Sequence, residues 1–192
     1  MFPPEAFQSL LVEIGGLLTA RGVRFAMTGG LVSAFYSEPR YTQDADLVVH
    51  REDLQPILDS LIDDFESAGY LLERAVIRQA VENGRQFQLF HTRELLKIDF
   101  YPRELVPGEL DRAVPAEIFP GVMLPIITSR DLVGCKLVWI SKGSHKARRD
   151  VRQLMRRFTS EERLLAEALA EELGHQSLLA EVLAESDEID LA

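Results

Sequence analysis

The opening stretch of the chain carries Phe7, Leu10, Leu11, Ile14, Leu17 and Leu18 at helical spacing, and Arg21-Gly22 supplies a cation and a glycine at its end. This pattern predicts an amphipathic helix over 4–20. A short apolar run at 23–27 predicts a strand, Thr28-Gly29-Gly30 a tight turn, and 31–36 a short helix. Residues 44–49 predict a second strand. Leu54, Ile57, Leu58, Leu61, Ile62 and Phe65 predict a second long helix over 52–68, stopped by Gly69. Strand-like runs at 70–77, 86–90 and 95–101, separated by Asn83-Gly84 and the polar turn 91–94, extend these strands as a meander. After Pro107, Pro115, Pro120 and Pro125 the pattern turns helical. Thr128 or Ser129 is the expected cap for a helix through 140, Ser144 for one through 158 and Ser160 for one through 173, with a last amphipathic piece at 176–184. The fold class expected is α+β: a small mixed β-sheet flanked by helices over 1–127, then a helical C-terminal region, 128–192, packed on that core.

Composition narrows the picture. With 192 residues, 46% hydrophobic and 27% charged, the chain is a soluble globular protein rather than a disordered, collagen-like or rod-forming one. No apolar run approaches the roughly 18–20 residues of a membrane span, and the N-terminus lacks a basic region followed by an apolar one. A cytoplasmic location, without membrane contact, is the expectation. Cys135 is the single cysteine and lies in an apolar stretch, so it reads as a small buried hydrophobe. His50, His91, His145 and His175 form no i, i+4 pair and have no cysteine partners, which argues against zinc.

The net charge of -10 hides a segregation along the chain. Residues 136–157 carry eight lysines and arginines against Asp150 alone, whereas 158–192 carry ten carboxylates against Arg163 alone. The basic stretch suits either a phosphate-bearing ligand or intramolecular pairing with the acidic tail.

Three carboxylates stand out by position. Asp44 and Asp46 are two apart in a strand, so their side chains leave one face, while Ala45 and Leu47 leave the other. Asp99, between Ile98 and Phe100 and sharing its face with Lys97, joins them if its strand lies beside theirs. Ionised aspartates gathered this closely repel unless a cation neutralises them, and their oxygens suit Mg²⁺. Two such ions would activate an attacking hydroxyl and stabilise a leaving pyrophosphate. An Asp-x-Asp pair by itself is equally a strand cap and a solvated edge residue. Thr28-Gly29-Gly30, ending a strand and opening a helix, adds a turn whose amides can approach a phosphate; alone, it is also simply a tight connection.

Taken together, Thr28-Gly29-Gly30, then Asp44-Ala45-Asp46-Leu47, with Asp99 on a later strand, resembles the polymerase-β-like nucleotidyltransferase superfamily. More closely, 22–30 followed by Pro39-Arg40-Tyr41-Thr42-Gln43-Asp44-Ala45-Asp46-Leu47 resembles the AbiEii-type group of toxins from toxin–antitoxin and abortive-infection systems. The resemblance implies an NTP donor whose triphosphate meets Gly29 and Gly30, with metal ions on Asp44 and Asp46. Asp99 would be a third metal ligand or the base on the acceptor hydroxyl. It also implies a lysine and a further aspartate, for which Lys136 and Asp150 stand at suitable positions, Lys136 steadying phosphate charge and Asp150 completing the site.

Read from the residues alone, Lys136 in an apolar helix either snorkels to solvent or points at an anion, and Asp150, if not catalytic, pairs with Arg149 or another cation. Lys142, His145 and Lys146 reach a nucleotide or RNA phosphate, or form a solvated loop. Arg40 and Thr42 contact the γ-phosphate or support the turn before the aspartates. The function expected is Mg²⁺-dependent transfer of an NMP from an NTP to an acceptor hydroxyl, with RNA, and a tRNA end in particular, as the leading acceptor. A cognate antitoxin is the expected partner, with the acidic tail as its docking surface. The alternatives are a small-molecule or protein nucleotidyltransferase, and a catalytically silent nucleotide-binding or regulatory module.

Overall fold

The computed structural model describes residues 4–39, 42 and 44–186, with the backbone alone for 4–6. In chain order the elements are α1 (Pro4–Ala20), β1 (Phe25–Thr28), α2 (Gly29–Tyr36), β2 (Asp44–Val49), α3 (Arg51–Leu54), α4 (Leu58–Ser67), β3 (Tyr70–Leu71), α5 (Arg74–Glu82), β4 (Phe87–His91), β5 (Leu96–Tyr101), β6 (Val114–Phe119), β7 (Val122–Ile126), α6 (Ser129–Ser141), α7 (Lys146–Arg157), α8 (Ser160–Glu172) and α9 (Gln176–Ala184). Two compact units emerge: residues 1–32 with 40–127, and residues 33–39 with 128–192.

The first unit is built on a seven-stranded mixed sheet of order β3-β4-β5-β2-β1-β7-β6. β2 sits at its centre, antiparallel to β1 and parallel to β5. One face of these strands is closed by apolar side chains. Ala45, Leu47, Ile98 and Phe100 are at most 1% exposed, and Phe65 of α4 packs its ring 5.8 Å from that of Phe100. Phe87 of β4 stacks on the same Phe100 ring at 4.9 Å. Such burial leaves the alternate positions of β2 and β5 to form the other face.

Three local expectations are corrected. The single helix over 52–68 is broken into α3, a 3₁₀ turn (Gln55–Ile57) and α4, because Pro56 has no amide to donate into a continuous helix. The strand over 70–77 is only two residues long, and Arg74–Glu82 is helical. There Ile77, Ala80 and Val81 are buried at i, i+3, i+4, a period that the adjacent Val76 and Ile77 disguise as an apolar strand run. The proline-rich passage is a hairpin, β6–β7, joined to β1 through a parallel pairing of Met27 with Ile126. Pro115 and Pro125 face each other across that hairpin, and β6 is an edge strand, where a missing amide is tolerated.

The second unit is helical. Thr128 caps α6 by accepting the Asp131 amide at 3.3 Å. Thr159, not Ser160, caps α8, in a reciprocal box with Glu162. His145, rather than Ser144, is the N-cap residue of α7, without a side-chain capping bond. Val151, Leu154 and Met155 of α7 and Leu132, Val133 and Leu137 of α6 are fully buried. Arg148 pairs with Glu181 and Glu185, and Arg152 with Glu185. Part of the basic stretch is therefore neutralised by the acidic C-terminal segment.

Candidate active site

β1 ends at Thr28, opposite Asp46 in the β1–β2 register, and α2 begins at Gly29. On the other side of β2, β5 sets Lys97 beside Asp44 and Asp99 beside Asp46. Alternation along both strands then gathers Asp44, Asp46, Lys97, Asp99 and Tyr101 on the face away from the apolar layer.

Asp46 is the most tightly held of them. Its Oδ2 accepts the Gly30 amide at 3.4 Å, and its Oδ1 accepts the Tyr101 hydroxyl at 3.1 Å. The close approach of the turn requires glycine. Gly29 has φ +68°, and a Cβ there would land within the Asp46 carboxylate. Asp44 is held differently: the Thr42 hydroxyl donates to its Oδ1 at 3.0 Å and to its carbonyl oxygen at 3.2 Å. Lys97 Nζ lies 3.2 Å from Asp99 Oδ2 and 3.6 Å from Asp44 Oδ2.

Burial, reinforced by repulsion from Asp44 and Asp99, raises the Asp46 pKa from an ordinary 3.8 to about 6, against the stabilising Gly30 amide and Tyr101 hydroxyl. Burial also raises that of Asp99, and Asp44 adds to the rise, while Lys97 and Gln86 oppose it. Tyr101 is pushed upward by burial and by the neighbouring Asp46 and Asp99. Asp99 is 4% exposed, and its Oδ1 has no hydrogen-bond partner among the described residues. A buried carboxylate oxygen without a donor is costly and is readily satisfied by a cation.

The donor chemistry fits a hard divalent ion: three carboxylates on one sheet face, with one buried oxygen of Asp99 that has no hydrogen-bond partner among the described residues. Among the described residues, no three metal-ligating groups already stand as a ready coordination set. The Lys97 ammonium lies between two of the three carboxylates instead.

Most residues singled out in the sequence are therefore brought together: Thr28, Gly29, Gly30, Thr42, Asp44, Asp46 and Asp99. Arg40 lies outside the described residues. Lys136 and Asp150 meet each other within the helical unit, Nζ to Oδ2 at 2.7 Å, with side chains 8% and 11% exposed. Lys136 thus points at an anion, and Asp150 has this lysine as a cationic partner. Lys142 is exposed and stands over the Trp139 ring at 5.3 Å. Cys135 is buried, as expected. Tyr101 is a further residue of the site that the sequence motifs do not single out, although its spacing of two from Asp99 on a strand marks it for the same face.

A family model for the nucleotidyl transferase AbiEii toxin of type IV toxin–antitoxin systems matches residues 18–190. The chain belongs to the AbiEii nucleotidyl transferase family. Solved structures of nucleotidyltransferases share the AbiEii chain's fold. The antibiotic-resistance factor ANT(2'')-Ia matches with TM-score 0.59 and 13% identity, over 94% of this chain and 97% of its own. The lincosamide antibiotic adenylyltransferase LnuA, in its lincomycin-bound crystal structure, matches with TM-score 0.53 and 14% identity, over 81% of this chain and 98% of its own. An antigenic nucleotidyltransferase-like protein from Paracoccidioides brasiliensis matches with TM-score 0.53 and 16% identity, over 94% of this chain and 93% of its own. At such identities the likeness is one of fold. No curated protein sequence matches the chain. Among the described residues, no helix is long and apolar enough to cross a membrane.

Proposed function

We propose that this AbiEii-family chain transfers the NMP unit of an NTP to an acceptor hydroxyl, releasing pyrophosphate, and that Asp44, Asp46 and Asp99 carry the reaction with Mg²⁺. The observation that carries the reading is the meeting of three carboxylates on one sheet face beside a Gly-Gly turn at the start of α2. When bound by these carboxylates, Mg²⁺ supplies the positive charge that the transferring phosphoryl group and the departing pyrophosphate require. The chain's own residues do the rest by positioning. Thr42 and the strand pairing fix Asp44 and Asp46 relative to Asp99. The Gly29-Gly30 turn sets the N-terminus of α2 beside the aspartates, where the triphosphate would bind, and the Gly30 amide is held by Asp46 Oδ2 until it does. Asp99, beside Asp46 in the β2–β5 register, is placed either to complete the metal-holding set or to take the proton of the attacking hydroxyl. Lys136 and Asp150 satisfy one another, so the weight of the reading rests on the aspartates of the sheet.

For the acceptor we favour RNA, with a tRNA end first among candidates. Exposed Lys142, Lys146, Arg149 and Arg157 give the helical unit a cationic surface even after Arg148 and Arg152 are engaged by the acidic segment. The family's place in type IV toxin–antitoxin systems supports a cognate antitoxin as partner and action in the cytoplasm. The test is transfer of label from each of the four α-labelled NTPs, with Mg²⁺, into total RNA, small molecules and protein, comparing the native chain with Asp46→Ala. Label in RNA that disappears in the variant is the expected result. Label in small molecules or protein instead would move the acceptor to those classes, and no label in any fraction while NTP still binds would favour a silent binding module.

A further inference from the structure

Lys97 is not among the residues the reaction above uses, yet it stands inside the carboxylate cluster. It is the register partner of Asp44 across β2 and β5 and lies two residues before Asp99, so it shares their face and is anchored by the sheet itself. Its ammonium is 3.2 Å from Asp99 Oδ2 and 3.6 Å from Asp44 Oδ2. The opposite oxygen of Asp99 is buried and has no hydrogen-bond partner among the described residues. One cation thus serves two carboxylates and leaves the third, Asp46, to Gly30 and Tyr101.

We propose that Lys97 is a resident counter-ion of this site: it holds Asp44 and Asp99 together while no divalent ion is bound, and a metal must displace its ammonium to engage both. The inference rests on the reading of Asp44, Asp46 and Asp99 as metal ligands. Two features of the side chain make displacement feasible. The lysine is 37% exposed, so its head has solvent to move into, and its flexible stem allows that movement without disturbing β5. An arginine would offer the same charge in a larger, flatter form. A neutral side chain of similar length would leave the carboxylates mutually repelling and ready for the metal. Lys97 is accordingly a positioning residue that sets metal affinity and the metal-free stability of the cluster.

The experiment is Mn²⁺ binding, followed by the spin-resonance signal of free Mn²⁺, together with melting in EDTA, for the native chain, Lys97→Met, Lys97→Gln, Lys97→Arg and Asp46→Asn. Removing one competing charge at this distance and exposure is expected to tighten Mn²⁺ binding about tenfold in Lys97→Met and Lys97→Gln, and to lower their melting temperature in EDTA. Lys97→Arg is expected to stay near the native affinity. A lysine with a merely structural role would lower the melting temperature without tightening Mn²⁺ binding. Unchanged or weaker Mn²⁺ binding in both neutral variants, while Asp46→Asn abolishes it, would overturn the proposal and leave the metal site standing. Native binding no tighter than that of Asp46→Asn would overturn both.

Discussion

Removing the charge of Asp46 should make the metal-free protein more stable, and the gain should depend on pH. The folded protein holds the Asp46 proton more tightly than the unfolded chain does, with a pKa of about 6 against an ordinary 3.8. Ionising it therefore destabilises the fold progressively as pH rises from about 4 to about 6, and the loss stays constant at higher pH. That difference corresponds to about 3 kcal/mol. Asp46→Asn keeps the shape and one acceptor oxygen but gives up one of the two hydrogen bonds from Gly30 and Tyr101, about 1 kcal/mol. The net gain at pH 8 is then about 2 kcal/mol, or a melting temperature about 4–8 °C higher for a chain of this size. Thermal melts followed by circular dichroism in EDTA at pH 4 and pH 8 measure it directly. The gain should be present at pH 8 and vanish at pH 4. With Mg²⁺ the order should reverse, because the native protein alone is stabilised by binding the ion. A variant less stable than the native chain at pH 8 in EDTA, or a gain equal at both pH values, would refute the electrostatic account of this cluster.

Two further outcomes follow from the geometry. Gly29→Ala should lose about 1–2 kcal/mol from its left-handed backbone alone, and more from the collision with the Asp46 carboxylate, so both melting temperature and NTP binding should fall. Lys136→Met should destabilise the helical unit by about 3 kcal/mol, because it takes away the ammonium 2.7 Å from the buried Asp150 carboxylate; thermal melting against the native chain measures the loss.

The parts of the site legible in the sequence are those governed by the period of a single strand. Asp44 with Asp46, and Asp99 amid Leu96, Ile98 and Phe100, alternate with residues that are buried on the other face, and this alternation survives folding intact. The Gly-Gly turn was legible for the same reason, since strand, turn and helix are contiguous. Contacts between distant segments were not. Nothing in the local pattern joins Lys136 to Asp150, whose helices must pack before the two groups meet, and nothing local sets the hydroxyl of Tyr101 against Asp46. The hairpin β6–β7 was hidden because Pro115 and Pro125 read as strand breakers; Pro115 lies on the edge strand β6, and Pro125 stands opposite it, one residue before the Met27–Ile126 pair that joins β7 to β1. In α5 the buried stripe is only Ile77, Ala80 and Val81, and the strand expected over 70–77 takes in Ile77 alone of these three, so the helical period does not show within it. Cap positions shifted by one residue where two hydroxyls are adjacent: Thr159 wins over Ser160 because Glu162 can close the box.

The central claim is that these carboxylates direct attack to the α-phosphorus of an NTP. The most direct measurement compares two samples of the same NTP, one labelled at the α-phosphate and one at the γ-phosphate, incubated with Mg²⁺ and an acceptor-rich RNA fraction. The account predicts that α-label becomes attached to the acceptor, γ-label is recovered in pyrophosphate, and both signals vanish in Asp44→Asn and Asp46→Asn. Attachment of γ-label to the acceptor, or α-label transfer that persists in those variants, would contradict it.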